Sequence, residues 1–141
     1  MRFRSAKMAI VAVALSSVAI LAGACSPAVS TSVTDVTSAQ AHALIVENEG
    51  NDSFVVLDVR TPAEFSEGHV ANAVNIDVNA SSFRSSVAGE SRTDTYLVYC
   101  RSGNRSLQAI GIMKELGFQK IYHMAKGIQD WISAGFPTVT P

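Results

Sequence analysis

Only two cysteines, Cys25 and Cys100, occur in the 141 residues, so no disulfide framework exists beyond a single bridge between them. No His/Cys cluster falls at metal-ligand spacing, which leaves no zinc motif. No segment repeats at a fixed period, which argues against a solenoid and for one domain. Basic residues are not in excess: 11 Lys and Arg stand against 12 Asp and Glu. Long apolar runs are also scarce, the one example being Met8 to Leu21. It is too short and wrongly flanked for a permanent span, because Arg2, Arg4 and Lys7 precede it and Ala22-Gly23-Ala24 close it. That order is the grammar of an export signal over residues 1–24, with an uncut anchoring helix as the alternative.

Cys25 decides how such a leader is cut. Leu21-Ala22-Gly23-Ala24-Cys25 resembles a bacterial lipobox, with Ala22 where Leu or Val is usual. The resemblance implies an extracytoplasmic protein anchored to the membrane through lipid on Cys25. Ala22-Gly23-Ala24 serves equally as an ordinary A-x-A cleavage site, which would leave Cys25 as a free terminal thiol. Residues 25–32, rich in Ser, Thr and Pro, read as a tether, and residues 33–141 as the folded domain. Removing the leader leaves eight basic residues against twelve acidic ones. A body of that charge is a poor partner for nucleic acid or for an anionic membrane surface.

The domain is organised around Tyr96-Leu97-Val98-Tyr99-Cys100-Arg101-Ser102-Gly103-Asn104-Arg105-Ser106. Thr95 to Tyr99 reads as a buried strand, and Asn104 or Ser106 opens a helix with Leu107, Ile110, Met113 and Leu116 on its apolar face and Gly117 as its stop. Cys100 thus sits between a strand end and a helix N-terminus, where backbone N–H groups and the helix dipole converge. Such surroundings lower a cysteine pKa from about 8.5 into the range of roughly 3.5–7.5. Arg101 and Arg105 add local positive charge suited to an anionic substrate. With Cys25 lipidated, Cys100 is an unpaired thiol in an oxidising compartment, which suggests use; the competing arrangement is a Cys25–Cys100 disulfide.

Elsewhere strands and helices alternate. Thr34 to Val36 reads as an entry strand, and Thr37 with Gln40 as a capping box. Ala41, Leu44 and Ile45 follow on one helical face, with His42 exposed or half-buried beside them. Phe54 to Leu57 reads as a central parallel strand ending at Asp58 and Arg60, the edge where such sheets place their chemistry. Thr61 and Glu64 form a second capping box with Pro62 at the first helical position. Ala73 to Ile76 and Ile121-Tyr122 read as strands, Phe83 to Val87 as a weak helix, and Ile128, Trp131 and Ile132 as a closing helix. The alternation predicts an α/β fold with a central parallel sheet flanked by helices on both faces.

Three segments, in order, resemble the signatures of rhodanese-like domains: Leu57 to Val70, Tyr99 to Ser106, and Lys126 to Trp131 with Gly135-Phe136-Pro137. Asn72 and Lys126 stand where this family usually has glycine. The cradle between Cys100 and Arg105 is one residue shorter than that of tyrosine phosphatases, and Ser106 occupies the phosphatase arginine position. The resemblance implies a sulfurtransferase with Cys100 as nucleophile, passing sulfane sulfur from thiosulfate or a similar small anionic donor to cyanide or a thiol. It implies no metal or organic cofactor. Ser102, Gly103, Asn104 and Ser106 would line the persulfide cradle, and Arg101 and Arg105 would recognise the donor. Asp58 and Arg60 would form a supporting ion pair, and His69 a hydrogen-bonded structural residue. A module that carries or senses the persulfide, delivering sulfur to an envelope partner without turnover, is the alternative.

Overall fold

The computed structural model describes residues 30–141. The leader, Cys25 and most of the tether lie outside the described residues. Five strands form one all-parallel sheet: β1 (Ser32–Val36), β2 (Phe54–Asp58), β3 (Val74–Asn75), β4 (Thr95–Tyr99) and β5 (Lys120–Met124), in the order β1-β5-β4-β2-β3. The helices are α1 (Ser38–Glu47), α2 (Pro62–Glu67), α3 (Phe83–Ala88), α4 (Asn104–Glu115) and α5 (Gly127–Ser133). Among the described residues no helix is long and apolar enough to cross a membrane.

Strand periodicity divides the interior into two cores. Tyr96, Val98 and Cys100 join Leu57, Ile121 and the inner faces of α3 and α4, namely Phe83, Val87, Ala109, Ile110 and Met113. Leu97 and Tyr99 turn the other way, with Val36, Val56 and Met124, onto Ala41 of α1 and Ile128 and Trp131 of α5. A parallel sheet covered on both faces is the architecture that the β/α alternation predicts.

Both capping boxes form. Thr37 Oγ1 accepts the Gln40 N–H at 3.2 Å while Gln40 returns a carboxamide oxygen to the Thr37 N–H at 2.9 Å. Thr61 and Glu64 do the same, with Pro62 leading α2.

Several elements differ from the sequence reading. β1 begins at Ser32, inside the stretch read as tether, because Ser32 pairs in register with Lys120. Between Ala73 and Ile76 only Val74 and Asn75 form a strand. β5 runs from Lys120 to Met124, longer than Ile121-Tyr122, since it is paired on both sides, by β1 and β4. In α4, Leu107 is 56% exposed. The helix starts at Asn104, and its turn carries Ser106, Ala109, Ile110 and Met113 inward instead. In α5, Ile132 is likewise exposed.

Candidate active site

β4 delivers Cys100 to the carboxyl edge of the sheet, and Gly103 turns the chain into α4. Gly103 has φ +104, a region that L side chains rarely adopt, and a Cβ there would overlap the Ala125 carbonyl oxygen. The loop is also held from behind. Ile128 N–H donates to the Cys100 carbonyl at 2.9 Å, and Gln129 N–H to the Arg101 carbonyl at 3.2 Å. Gly127, at φ +64, lets α5 approach those two carbonyls. With its carbonyls drawn toward α5, the loop presents N–H groups to the sulfur.

The Gly103 N–H donates to Cys100 Sγ at 3.1 Å, and Ser106 Oγ lies 3.4 Å from the sulfur. Cys100 is 1% exposed, and burial pushes its thiol up. Hydrogen bonds from the Ser106 hydroxyl and from the backbone N–H groups of Ser106, Ser102 and Gly103 outweigh that, leaving the thiol below its ordinary value. Cys100 is a free cysteine. Arg101, Ser102 and Asn104 form the exposed rim above it.

Arg105 is half-buried and held at both ends by Glu64, Nη1 to Oε2 and Nη2 to Oε1, each at 2.7 Å. The sequence reading gave it no such partner. The Arg105 guanidinium, with the Thr61 N–H and hydroxyl, holds the Glu64 carboxyl at about 2 despite the opposing effect of burial. The second capping box of the chain is therefore also an anchor for the loop.

Asp58 and Arg60 form a buried ion pair, Nη2 to Oδ2 at 2.6 Å. The same Nη2 donates to the Gly68 carbonyl at 2.8 Å, and Asn75 Nδ2 donates to the Asp58 and Arg60 carbonyls at 3.0 and 2.9 Å. The pair fixes the segment leading into α2 and from there Glu64. His69 bonds the Phe65 carbonyl through Nδ1 at 2.9 Å, and half-buried His42 stacks on Phe136.

Sequence reasoning missed His123. It is 2% exposed on β5, with Nε2 at 2.8 Å from Ser106 Oγ and Nδ1 at 2.9 Å from Asp35 Oδ1. The available signal was strand alternation. His123 shares the parity of Ile121, which faces α4.

A buried cysteine cradled by backbone N–H groups at a helix N-terminus, on the carboxyl edge of a five-stranded parallel sheet, defines the class of this α/β domain. A family model described as Rhodanese-like domain matches residues 37–134, and the chain belongs to that family. A sulfurtransferase of Allochromatium vinosum is 31% identical over 90 residues, covering 64% of this chain and 82% of its own length. Thiosulfate sulfurtransferase PspE of Escherichia coli is 35% identical over 74 residues, 52% of this chain and 70% of that protein. The crystal structure of a rhodanese-related protein from Thermoplasma volcanium superposes with a TM-score of 0.63 at 34% identity, covering 77% of this chain and 99% of that one. Two other bacterial relatives are longer, and this chain spans 48% and 44% of them.

The two family departures have different structural meanings. Asn72 keeps the left-handed conformation, φ 60, which asparagine tolerates better than most residues. Lys126 has φ −101 and needs no glycine; the position that does need one, Gly127, retains it.

Proposed function

We propose that the protein transfers sulfane sulfur from thiosulfate, or a donor of that chemistry, to a thiol or cyanide through a persulfide on Cys100. The observation that carries this reading is the donor set around Sγ, the Gly103 N–H at 3.1 Å and the Ser106 hydroxyl at 3.4 Å, which favours an anion on sulfur. The thiolate attacks the outer sulfur of the donor and sulfite leaves with the electron pair of the broken S–S bond. The persulfide is again an anion, and the same N–H groups receive it. A second nucleophile then takes the outer sulfur and restores the thiolate, the double displacement of covalent catalysis. Arg101 on the rim and Arg105 beside the thiol draw in the donor. The name of the Escherichia coli relative supports thiosulfate as that donor.

Intact-mass measurement of residues 30–141 after thiosulfate treatment tests the reading. One added sulfur atom, lost on addition of cyanide and absent in Cys100→Ser, is expected. Sulfur transfer by Cys100→Ser at the wild-type rate would refute it. A stoichiometric adduct that never turns over would instead favour the carrier role.

The leader supports a further part of the reading: the mature protein begins at a lipidated Cys25 and is held on an extracytoplasmic membrane face. Cys25→Ser should release the protein or block its processing. Recovery of wild type as an unlipidated soluble chain beginning at Cys25 would overturn this.

A further inference from the structure

A line of hydrogen-bonding groups runs from the sulfur to the protein surface. Cys100 Sγ lies 3.4 Å from Ser106 Oγ, Ser106 Oγ 2.8 Å from His123 Nε2, and His123 Nδ1 2.9 Å from Asp35 Oδ1. Four separate elements supply it: the loop after β4, α4, β5 and β1. Asp35 and His123 are opposite one another in the parallel register of β1 and β5, so the sheet itself sets their contact. Ser106 and His123 are buried, whereas the Asp35 side chain is 72% exposed.

Counting hydrogens shows that the line can pass a proton without leaving any contact unfilled. Ser106 has one hydroxyl hydrogen and three neighbours able to accept it: Gly103 O at 2.8 Å, His123 Nε2 and Cys100 Sγ. An ionised carboxylate only accepts, so Nδ1 donates to Asp35. When the sulfur is a thiolate, the Ser106 hydrogen is best placed on Sγ. Ser106 Oγ is then free to accept from a proton on Nε2. Gly103 O loses nothing essential, because it keeps the Leu107 N–H at 3.1 Å. Each contact along the line has one hydrogen both as thiol with neutral imidazole and as thiolate with imidazolium, and the Gly103 N–H on Sγ, for which an anion is the better acceptor, favours the second state.

We infer that His123, braced by Asp35, is a positioning residue that takes up the Cys100 proton through Ser106 and so holds the nucleophile as a thiolate. The Cys100 S–H bond breaks and its proton passes to Ser106 Oγ, while the Ser106 hydroxyl proton passes to Nε2. Sulfur keeps the electron pair, and no oxidant or reductant takes part. Attack on thiosulfate from the thiol then balances as persulfide anion, sulfite and one proton on His123. The inference rests on Cys100 being the nucleophile, and His123 itself touches no substrate.

The charged and titratable groups around this line are few. Asp35 faces the imidazole from β1, and its register partner on β4 is the apolar Val98. Cys100 faces it through Ser106. Arg105 of α4, paired with Glu64 of α2, is close enough to Cys100 for the two charges to interact. On β5 itself, Tyr122 packs into the opposite core and Lys120 is exposed.

The test is the pH profile of Cys100 alkylation by iodoacetamide, a small neutral reagent, in wild type and Asp35→Asn. Asp35 is exposed on an edge strand, and circular dichroism checks that the variant folds. Through-space electrostatics and the relay predict opposite signs. Removing a nearby negative charge should by itself favour the thiolate and lower the alkylation midpoint. Loss of the brace on the imidazolium should raise it, by about one pH unit, a tenfold drop in thiolate at neutral pH, with the high-pH rate unchanged. His123→Gln, which donates but does not titrate, should raise the midpoint at least as far, and adding Asp35→Asn to it should raise it no further. An unchanged or lowered midpoint in Asp35→Asn, or two additive rises, overturns the relay. Sulfur loading from thiosulfate is followed in parallel. A raised midpoint without sulfur loading in wild type would refute the proposed function and leave the relay standing; loading with no midpoint shift would do the reverse.

Discussion

Glu64 and Arg105, 41 residues apart in sequence, meet end-on in a bidentate ion pair that joins α2 to the first turn of α4 beside Cys100. Two parallel N–H···O bonds fix the guanidinium plane as well as its position. The contact braces the first turn of α4, next to the reactive loop, against α2.

The pair makes stability depend on acid in a defined window. The folded Glu64 carboxyl is held at about 2, below its ordinary value near 4.5. A depressed carboxyl pKa stabilises the fold above the unfolded value, and the contribution disappears as pH falls through the folded one. Glu64→Gln should therefore lower unfolding stability by about 1–2 kcal/mol at pH 7, a figure reduced for the partial exposure of both side chains. Urea unfolding of both proteins at neutral and at low pH checks this. The difference should shrink as pH drops from about 4.5 toward 2.

The same two residues separate anion recognition from loop support. Arg105→Ala removes both the charge and the brace, whereas Glu64→Gln removes the ion pair and keeps the guanidinium. Losing a charge-assisted contact to an anionic donor costs about 1.5–3 kcal/mol, so Arg105→Ala should reduce kcat/KM for thiosulfate on the order of ten- to a hundredfold. The loss should fall mainly on KM, and Glu64→Gln should show a much smaller one. Equal losses in both variants would mean that the arginine acts through loop shape alone. Arg101→Ala should follow the Arg105 pattern more weakly, and added salt should reduce turnover most in the protein that keeps both arginines.

Three glycine exchanges probe the backbone of the cradle. Gly103→Ala and Gly127→Ala each place a Cβ against carbonyl groups at positive φ, and each should destabilise the protein by about 2 kcal/mol or more. Both should also slow Cys100 alkylation, because they displace the N–H groups that face the sulfur. Lys126→Gly restores the usual family residue where φ is −101 and should change stability by no more than about 1 kcal/mol. Thermal unfolding of the three variants orders them.

Asp58 carries a different burden. It is fully buried and its carboxylate is shared by the backbone N–H and the guanidinium of Arg60. Asp58→Ala leaves a buried guanidinium without its counter-ion and should cost about 3–5 kcal/mol. If the pair only supports the loop, the folded fraction should still alkylate Cys100 at close to the wild-type rate. A normal denaturation midpoint with lost reactivity would assign Asp58 to the chemistry instead.

What could be read from the sequence was local. Thr37 with Gln40 and Thr61 with Glu64 announce their helix starts by spacing alone, and Thr95 to Tyr99 announces a strand by composition. The cysteine loop is legible for the same reason, since strand, turn and helix start are contiguous. What could not be read depends on partners far along the chain. Ser32 becomes a strand residue only because Lys120 lies beside it. Leu107 looked like core because the stripe through 107, 110, 113 and 116 is as regular as the true one, and only the packing of α4 chooses between them. His123 carries no local mark beyond its strand parity, because Asp35, 88 residues away, and Ser106 give it its setting.

The clamp of α5 on the loop carbonyls has a consequence for timing. Residues 128 and 129 supply the N–H groups that hold the Cys100 and Arg101 carbonyls, and β5, just before them, is the strand that joins β1 to the rest of the sheet. A ribosome makes Cys100 well before it makes either. Until α5 has emerged and docked, the nascent chain lacks the two contacts that hold the Cys100 and Arg101 carbonyls. The finished loop thus waits on residues made well after the cysteine, and a product truncated before α5 would carry the cysteine without the clamp that organises its loop.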